Sequence, residues 1–338
     1  MKAISYQGVN DVRTIETDEP ACRPGHAKIR VRAAGICGTD MAIAAGKHPR
    51  ARAPLIMGHE FSGEIVQIVP EPGKAPELSV GDRVTAYPLL TCGHCFACTN
   101  GAAHVCRTLK LIGIDCDGAF AEYACVPLDL LVKVPGHVDY AAGALIEPLA
   151  VGIHAVEMAK DAPMDNAVVL GAGPIGLLTA FALSLKNVRD IIVADINPSR
   201  LARAGQMGFR TVNSAEQDLN AVVAENTNGE GAALLFECAG AESAAAQMCG
   251  LARSRGTIVM AGVHKDPHAV DLRTLNFREI TLVGSRVYTR SDYKAAVGAA
   301  AQLPADIIIS HSLGIEDAVQ GFEFMKHPDG VCKVVFSM

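Results

Sequence analysis

The chain has 338 residues, half of them hydrophobic and a fifth charged, with a formal net charge of −6. That length fills two domains with a full core each, and the balance is that of an ordinary soluble globular protein. A mildly acidic chain without a long basic run excludes nucleic acid as an expected partner.

The opening residues, MKAISYQGVNDVRTIE, lack the apolar centre of a signal peptide. Eleven cysteines, an odd number, and no export signal point to reduced thiols in a cytoplasm rather than a disulfide framework. Up to about residue 140 the chain reads as short strands and turns. KIRVRAAGI, EFSGEIVQIV, DRVTAYPL and FAEYACVP are β-branched or alternating runs bounded by Gly, Pro and Asp. Among them stand Cys37, in GICGTD, and the pair His59 and Glu60, in MGHEFSG. Taken singly these read as core filler, a hydrogen-bonded core histidine and a surface acid. Between them lies a basic loop, GKHPRARAP, with Lys47, His48, Arg50 and Arg52.

Next comes TCGHCFACTNGAAHVC, in which Cys92, Cys95, Cys98 and Cys106 are spaced C-x2-C-x2-C-x7-C. Four thiolates this close can surround one tetrahedral ion, and Zn2+ favours such a closed sulfur shell. Two disulfides, or four unrelated small core residues, are the alternatives. Glu147 follows in ALIEPLAVG. With Cys37, His59 and Glu60 it offers sulfur, imidazole and carboxylate, the mixed donor set of a catalytic zinc with an open position. Spacing alone does not join these distant residues.

From Ala167 the rhythm changes. AVVLG, DIIVAD, FRTVN, ALLFECAG, TIVMAG and ITLVGS alternate with helix-like stretches near 174–186, 198–207, 215–225 and 242–253, the crossover at 263–278 being the least helical. Six strands so connected predict a parallel, doubly wound sheet. The uncharged run at 167–185 approaches the length of a membrane span, but its clustered glycines and proline suit a strand, a tight turn and a buried helix. There Gly171, Gly173 and Gly176 stand in G-x-G-x-x-G register, which permits the tight turn, close approach to a pyrophosphate, and close helix–strand packing. Asp195 ends the second strand, 19 residues beyond Gly176. A carboxylate there accepts both ribose hydroxyls of NAD and repels the extra phosphate of NADP. Arg200 is placed to lie along the adenosine, or else is a solvated helix residue. After Gly284 a helix-like run near 291–302 and a last strand, KVVFSM, form a tail too short for a domain, which is expected to pack back on the first one.

GICGTD, GHEFSG, the four-cysteine loop, IEPLAVG and GAGPIG follow in the order seen in zinc-dependent medium-chain dehydrogenases. The chain resembles their polyol branch: sorbitol, threonine, butanediol and galactitol-phosphate dehydrogenases. The resemblance covers essentially the whole chain. It implies an α/β protein with a GroES-like, β-rich catalytic domain over 1–147 and 285–338, and a Rossmann NAD-binding domain over 148–284. The active site would lie in the cleft, and the protein would be a cytoplasmic homodimer or homotetramer. Two zinc ions per chain are implied, one structural on the four-cysteine loop and one catalytic on Cys37, His59 and a carboxylate. Glu60 would ligate directly or through water, while Glu147 takes the place of a cysteine in ordinary alcohol dehydrogenases. Asp40 would accept the other N–H of His59. NAD would be held by Gly171, Gly173, Pro174, Ile175, Gly176, Asp195, Arg200 and Val263.

The implied reaction oxidises a secondary alcohol of a polyol, sugar acid or polyol phosphate to a ketone. Zinc lowers the alcohol's pKa, hydride passes to the nicotinamide, and Thr39 relays the proton through the cofactor ribose. The pattern departs from relatives at Ala42, in the slot of the histidine that usually ends the relay, which leaves water or His48 to end it. Ile43 replaces a substrate-facing tyrosine of sorbitol dehydrogenases, and of their F-R-Y only Tyr288 keeps register beside Arg286 and Val287. In relatives the basic loop borders the substrate cleft, so His48 and Arg50 are candidate readers of an anionic substrate; a solvated loop is the alternative. Two other functions compete: a zinc-independent quinone or enoyl reductase of the same two-domain plan, which would not need Cys37, His59 and Glu147 together, and a non-enzymatic zinc-binding interaction protein, which would set basic or aromatic residues around the cysteines.

Overall fold

The computed structural model describes residues 1–327 and 329–338. The chain divides into two compact units, Met1–Glu147 with Thr289–Met338, and Pro148–Tyr288.

The first unit is built on antiparallel strands. β1 (His26–Gly35) pairs along its length with β2 (Glu60–Val69), and its first half, His26 to Arg30, pairs with β3 (Tyr123–Pro127). Alternating burial along β1 reflects the two-residue period of a strand with one covered face. The N-terminal stretch forms a hairpin of strands Lys2–Gly8 and Asp11–Glu16.

The second unit holds six parallel strands: β4 (Asn166–Leu170), β5 (Asp190–Asp195), β6 (Arg210–Asn213), β7 (Ala232–Glu237), β8 (Ala252–Met260) and β9 (Thr281–Gly284). Their order is β6-β5-β4-β7-β8-β9, the doubly wound order whose reversal lies between β4 and β7. AVVL in β4 and all of AALLFE in β7 are buried, as expected of parallel strands covered on both faces. The uncharged 167–185 run divides into β4 and the helix Pro174–Leu185. Among the described residues no helix is long and apolar enough to cross a membrane.

The tail contributes β10 (Ile309–Gly314) and β11 (Lys333–Ser337), which pair in parallel. Val335, Phe336 and Ser337 of β11 then pair with Gly35, Ala34 and Ala33 of β1. The tail is therefore part of the same sheet as β1 and β2, and it places Lys333 beside them.

Candidate active site and metal centres

Cys37 lies two residues past β1 and caps the short helix Gly38–Ala44, while Glu60 opens β2. Because Gly35 and Glu60 are paired across the two strands, Cys37, His59 and Glu60 converge at one end of the sheet. One ligand atom from each lies within 4.8 Å of the others. A Cβ on Gly35 would meet Glu60 Oε2, so only glycine leaves this carboxylate its place.

The cluster is buried and rich in acidic groups. Asp40, His59 and Glu60 are buried and Cys37 partly so. Asp40 Oδ2 accepts the Cys37 N–H at 2.8 Å. The other oxygen, Oδ1, stands 3.9 Å from His59 Nδ1, too far for a hydrogen bond, and both atoms are buried without a hydrogen-bond partner. Burial opposes a charge on His59, yet Cys37, Asp40 and Glu147 outweigh it and hold the imidazole well above its usual range. Burial pushes the Asp40 carboxyl up to about 6, against the pull of His59, the Cys37 N–H and Lys333. A site that draws a proton onto a buried imidazole is short of positive charge, the condition a divalent cation relieves.

Glu147 is also buried, and its charge acts on His59 and on Lys333. Its carboxylate is not among the mutually close trio, which is completed by Glu60 instead.

Sequence reasoning missed Lys333. Its ammonium lies 2.8 and 2.7 Å from the two oxygens of Glu60 and donates to the Ile36 carbonyl at 3.0 Å. The side chains of Lys333 and Glu60 are only 4 % and 2 % exposed, so this is a buried ion pair. Burial lowers the lysine's pKa, but Glu60 and Cys37 overcome that and keep it raised. A single lysine opening the apolar strand KVVFS was the one available signal.

The four cysteines form a second cluster on an exposed lobe, carried by the turns Phe96–Thr99 and Ala103–Val105. Sulfur separations are 3.6 Å for Cys95–Cys98, 3.8 Å for Cys95–Cys106 and 3.9 Å for Cys92–Cys98. A tetrahedron with Zn–S bonds of about 2.3 Å has edges of about 3.8 Å, so the sulfurs fit that ion. Backbone N–H groups of Cys92 and Cys95 point at sulfur. The N–H groups of Arg107 and Cys98 pull the Cys95 thiol down to about 6, toward the thiolate that ligates metal.

In the second unit Gly171 has φ +102°, and a Cβ on Gly176 would collide with the Gly171 carbonyl oxygen, so the turn and the packing both require glycine. Gly173 caps the helix that Pro174 begins, and nothing occupies the space where its Cβ would stand. Ile175 is partly buried in the first turn. Asp195 Oδ2 accepts the Ala172 N–H at 2.7 Å and Oδ1 accepts that of Asn197 at 2.9 Å. Arg200 Nη1 is 3.9 Å from the same carboxylate. Val263 is 86 % exposed. A further pair escaped the sequence reading: buried Glu237, at the end of β7, accepts the N–H groups of Ala239 and Gly240, and His264 Nε2 lies 2.9 Å from its other oxygen. This pair ties the end of β7 to the loop carrying Val263.

The nominated substrate contacts fare differently. The Arg50 guanidinium is already paired with both oxygens of Asp115, at 3.0 and 3.1 Å, so it is not a free anion reader. Arg52 donates to the carbonyls of Pro49 and Ala51. His48 Nδ1 accepts the N–H groups of Arg50 and Ala51. Burial and the Arg50 charge lower its pKa, which leaves a neutral ring with its proton on Nε2. Tyr288 is fully buried and offers a ligand no open surface, whereas Arg286 is exposed. Thr39 is partly buried in the first turn after Cys37, and Ile43 belongs to the core.

Residues 23–136 match the family described as alcohol dehydrogenase GroES-like domain, and residues 174–302 the family described as zinc-binding dehydrogenase. The 2-dehydro-3-deoxy-L-galactonate 5-dehydrogenase of Pseudoalteromonas atlantica is 36 % identical, over 99 % of this chain and 98 % of its own. The crystal structure of (2R,3R)-butanediol dehydrogenase from Bacillus subtilis superposes with a TM-score of 0.92 at 29 % identity, covering 100 % of this chain and 99 % of that one. An alcohol dehydrogenase of Escherichia coli CFT073 complexed with NADH gives 0.91 at 28 % identity, with the same coverage. With this likeness running the length of the sequence, the chain belongs to the zinc-binding dehydrogenases, with an alcohol dehydrogenase GroES-like domain toward its N-terminus.

Proposed function

We propose that the protein is a zinc-dependent, NAD-linked dehydrogenase that oxidises a secondary alcohol of a small polyhydroxylated substrate to a ketone. The observation that carries this reading is the trio of Cys37, His59 and Glu60, the last two buried, with His59 Nδ1 unpaired. Cys37 and His59 hold the catalytic zinc with Glu60, Glu147 standing next to them, and the four-cysteine lobe holds a structural one. Zinc there supplies a Lewis acid that lowers the pKa of an alcohol hydroxyl. Lys333 holds Glu60 in place through both of its oxygens. Asp40 fixes the backbone of Cys37 and biases the imidazole of His59 through its charge. The Thr39 hydroxyl receives the alcohol proton at Oγ1 and passes it on. His48 can exchange a proton only through Nε2, since Nδ1 is occupied by two backbone donors.

The unit Pro148–Tyr288 binds NAD, the hydride acceptor. Ala172 and Asn197 orient the Asp195 carboxylate for the ribose hydroxyls, and its charge disfavours the 2′-phosphate of NADP. The Glu237–His264 pair holds the Val263 loop against the cofactor. A sugar acid is the favoured substrate, because the 36 % identical relative is named for one. Its carboxylate is read by a group other than Arg50. The protein works as a homodimer or homotetramer.

The test is a panel of sugar acids, polyols, vicinal diols and polyol phosphates with NAD and zinc, following NADH formation. Turnover should be highest on sugar acids. Failure with every secondary alcohol would refute the function, and preference for neutral diols would refute the substrate class alone.

A further inference from the structure

Outside both metal clusters, two cysteines far apart in sequence meet. Cys22 lies in the irregular segment between the N-terminal hairpin and β1, and Cys125 lies on β3, yet their sulfurs are 2.6 Å apart. Neither belongs to a group with metal-ligand geometry among the described residues. Both are partly buried, and they differ in access. Cys125 lines a surface cavity of about 440 Å3 shared with Arg23, His26, Asp117 and the exposed Cys116, whereas Cys22 does not line it.

We infer that Cys22 and Cys125 form a reversible dithiol–disulfide pair, oxidised by small disulfides of the glutathione class that enter this cavity. The Cys125 sulfur attacks the small disulfide, forming a mixed disulfide and releasing one thiol. Cys22, already in contact, then attacks the Cys125 sulfur and releases the second. Two protein thiols are thereby oxidised, one small disulfide is reduced to two thiols, and the two protons leave with those thiols. Access assigns the order: Cys125, a lining residue of the cavity, meets the oxidant, and Cys22, which does not line it, resolves. The product would tie the segment before β1 to β3, and so to the strand that leads into Cys37.

The experiment treats the zinc-loaded, full-length protein with oxidised glutathione, alkylates the remaining thiols, and maps unreduced peptides by mass. The expected product is a peptide pair joining Cys22 to Cys125, two hydrogens lighter than the sum of its parts and restored by dithiothreitol. In Cys22→Ser, glutathione should stay on Cys125, because no resolving thiol is present. Alkylation of Cys125 without cross-linking in the wild-type protein would overturn the inference. So would a stable glutathione adduct on wild-type Cys125, or a cross-link from Cys125 to Cys116.

Discussion

The two cysteine-containing clusters use opposite designs. On the lobe, four like donors come from one short run of chain, sit among exposed residues, and span the edges of a single tetrahedron. At the sheet end, three unlike donors come from just beyond β1 and from the start of β2, are mostly buried, and rest on a lysine some 270 residues away in sequence. A set of identical thiolates saturates an ion and leaves little for chemistry; a mixed, partly compensated set can leave a position for a ligand. On the proposed function, this difference gives shape to the first and turnover to the second.

Three substitutions would break or sharpen this contrast, in falling order of effect. Cys37→Ser should remove essentially all NADH formation while leaving the far-ultraviolet circular dichroism and the lobe intact; retained turnover would erase the distinction. Lys333→Met should leave the Glu60 carboxylate buried and unpaired, at a cost of about 3–5 kcal/mol in urea denaturation. A change within error would mean that Glu60 finds another partner. Asp40→Asn keeps an acceptor for the Cys37 N–H but removes the charge beside His59. It should lower zinc affinity or kcat/KM roughly 10–100-fold, and wild-type values would show that the 3.9 Å separation carries no coupling.

What could be read from the sequence follows the range of the interactions. The strands and helices of the second unit were legible because its central parallel strands β4, β5 and β7 are largely buried and their glycine turn is local. Gly171, Gly173 and Gly176 fall within six residues, and Asp195 ends the next strand. The lobe was legible because its four sulfurs share one segment. Lys333 was not, since only the return of β11 beside β1 brings it to Glu60. Nor was the contact of Cys22 with Cys125, which spans 103 positions. The strand Ile309–Gly314 escaped because ISHSLG lacks the apolar run that announced the other strands. Arg50 was misleading for a related reason: charge in a loop is visible in sequence, whereas the Asp115 that engages it is not.

The division of labour between the clusters is tested most directly by counting zinc in three purified proteins. The account predicts two ions per chain in the wild type, and one in Cys37→Ser, which should be folded but inactive. Cys98→Ser should also hold one, with lower thermal stability and with NADH formation retained in the fraction that stays folded. Two ions in Cys37→Ser, or a folded Cys98→Ser that retains its catalytic ion and yet forms no NADH, would contradict it.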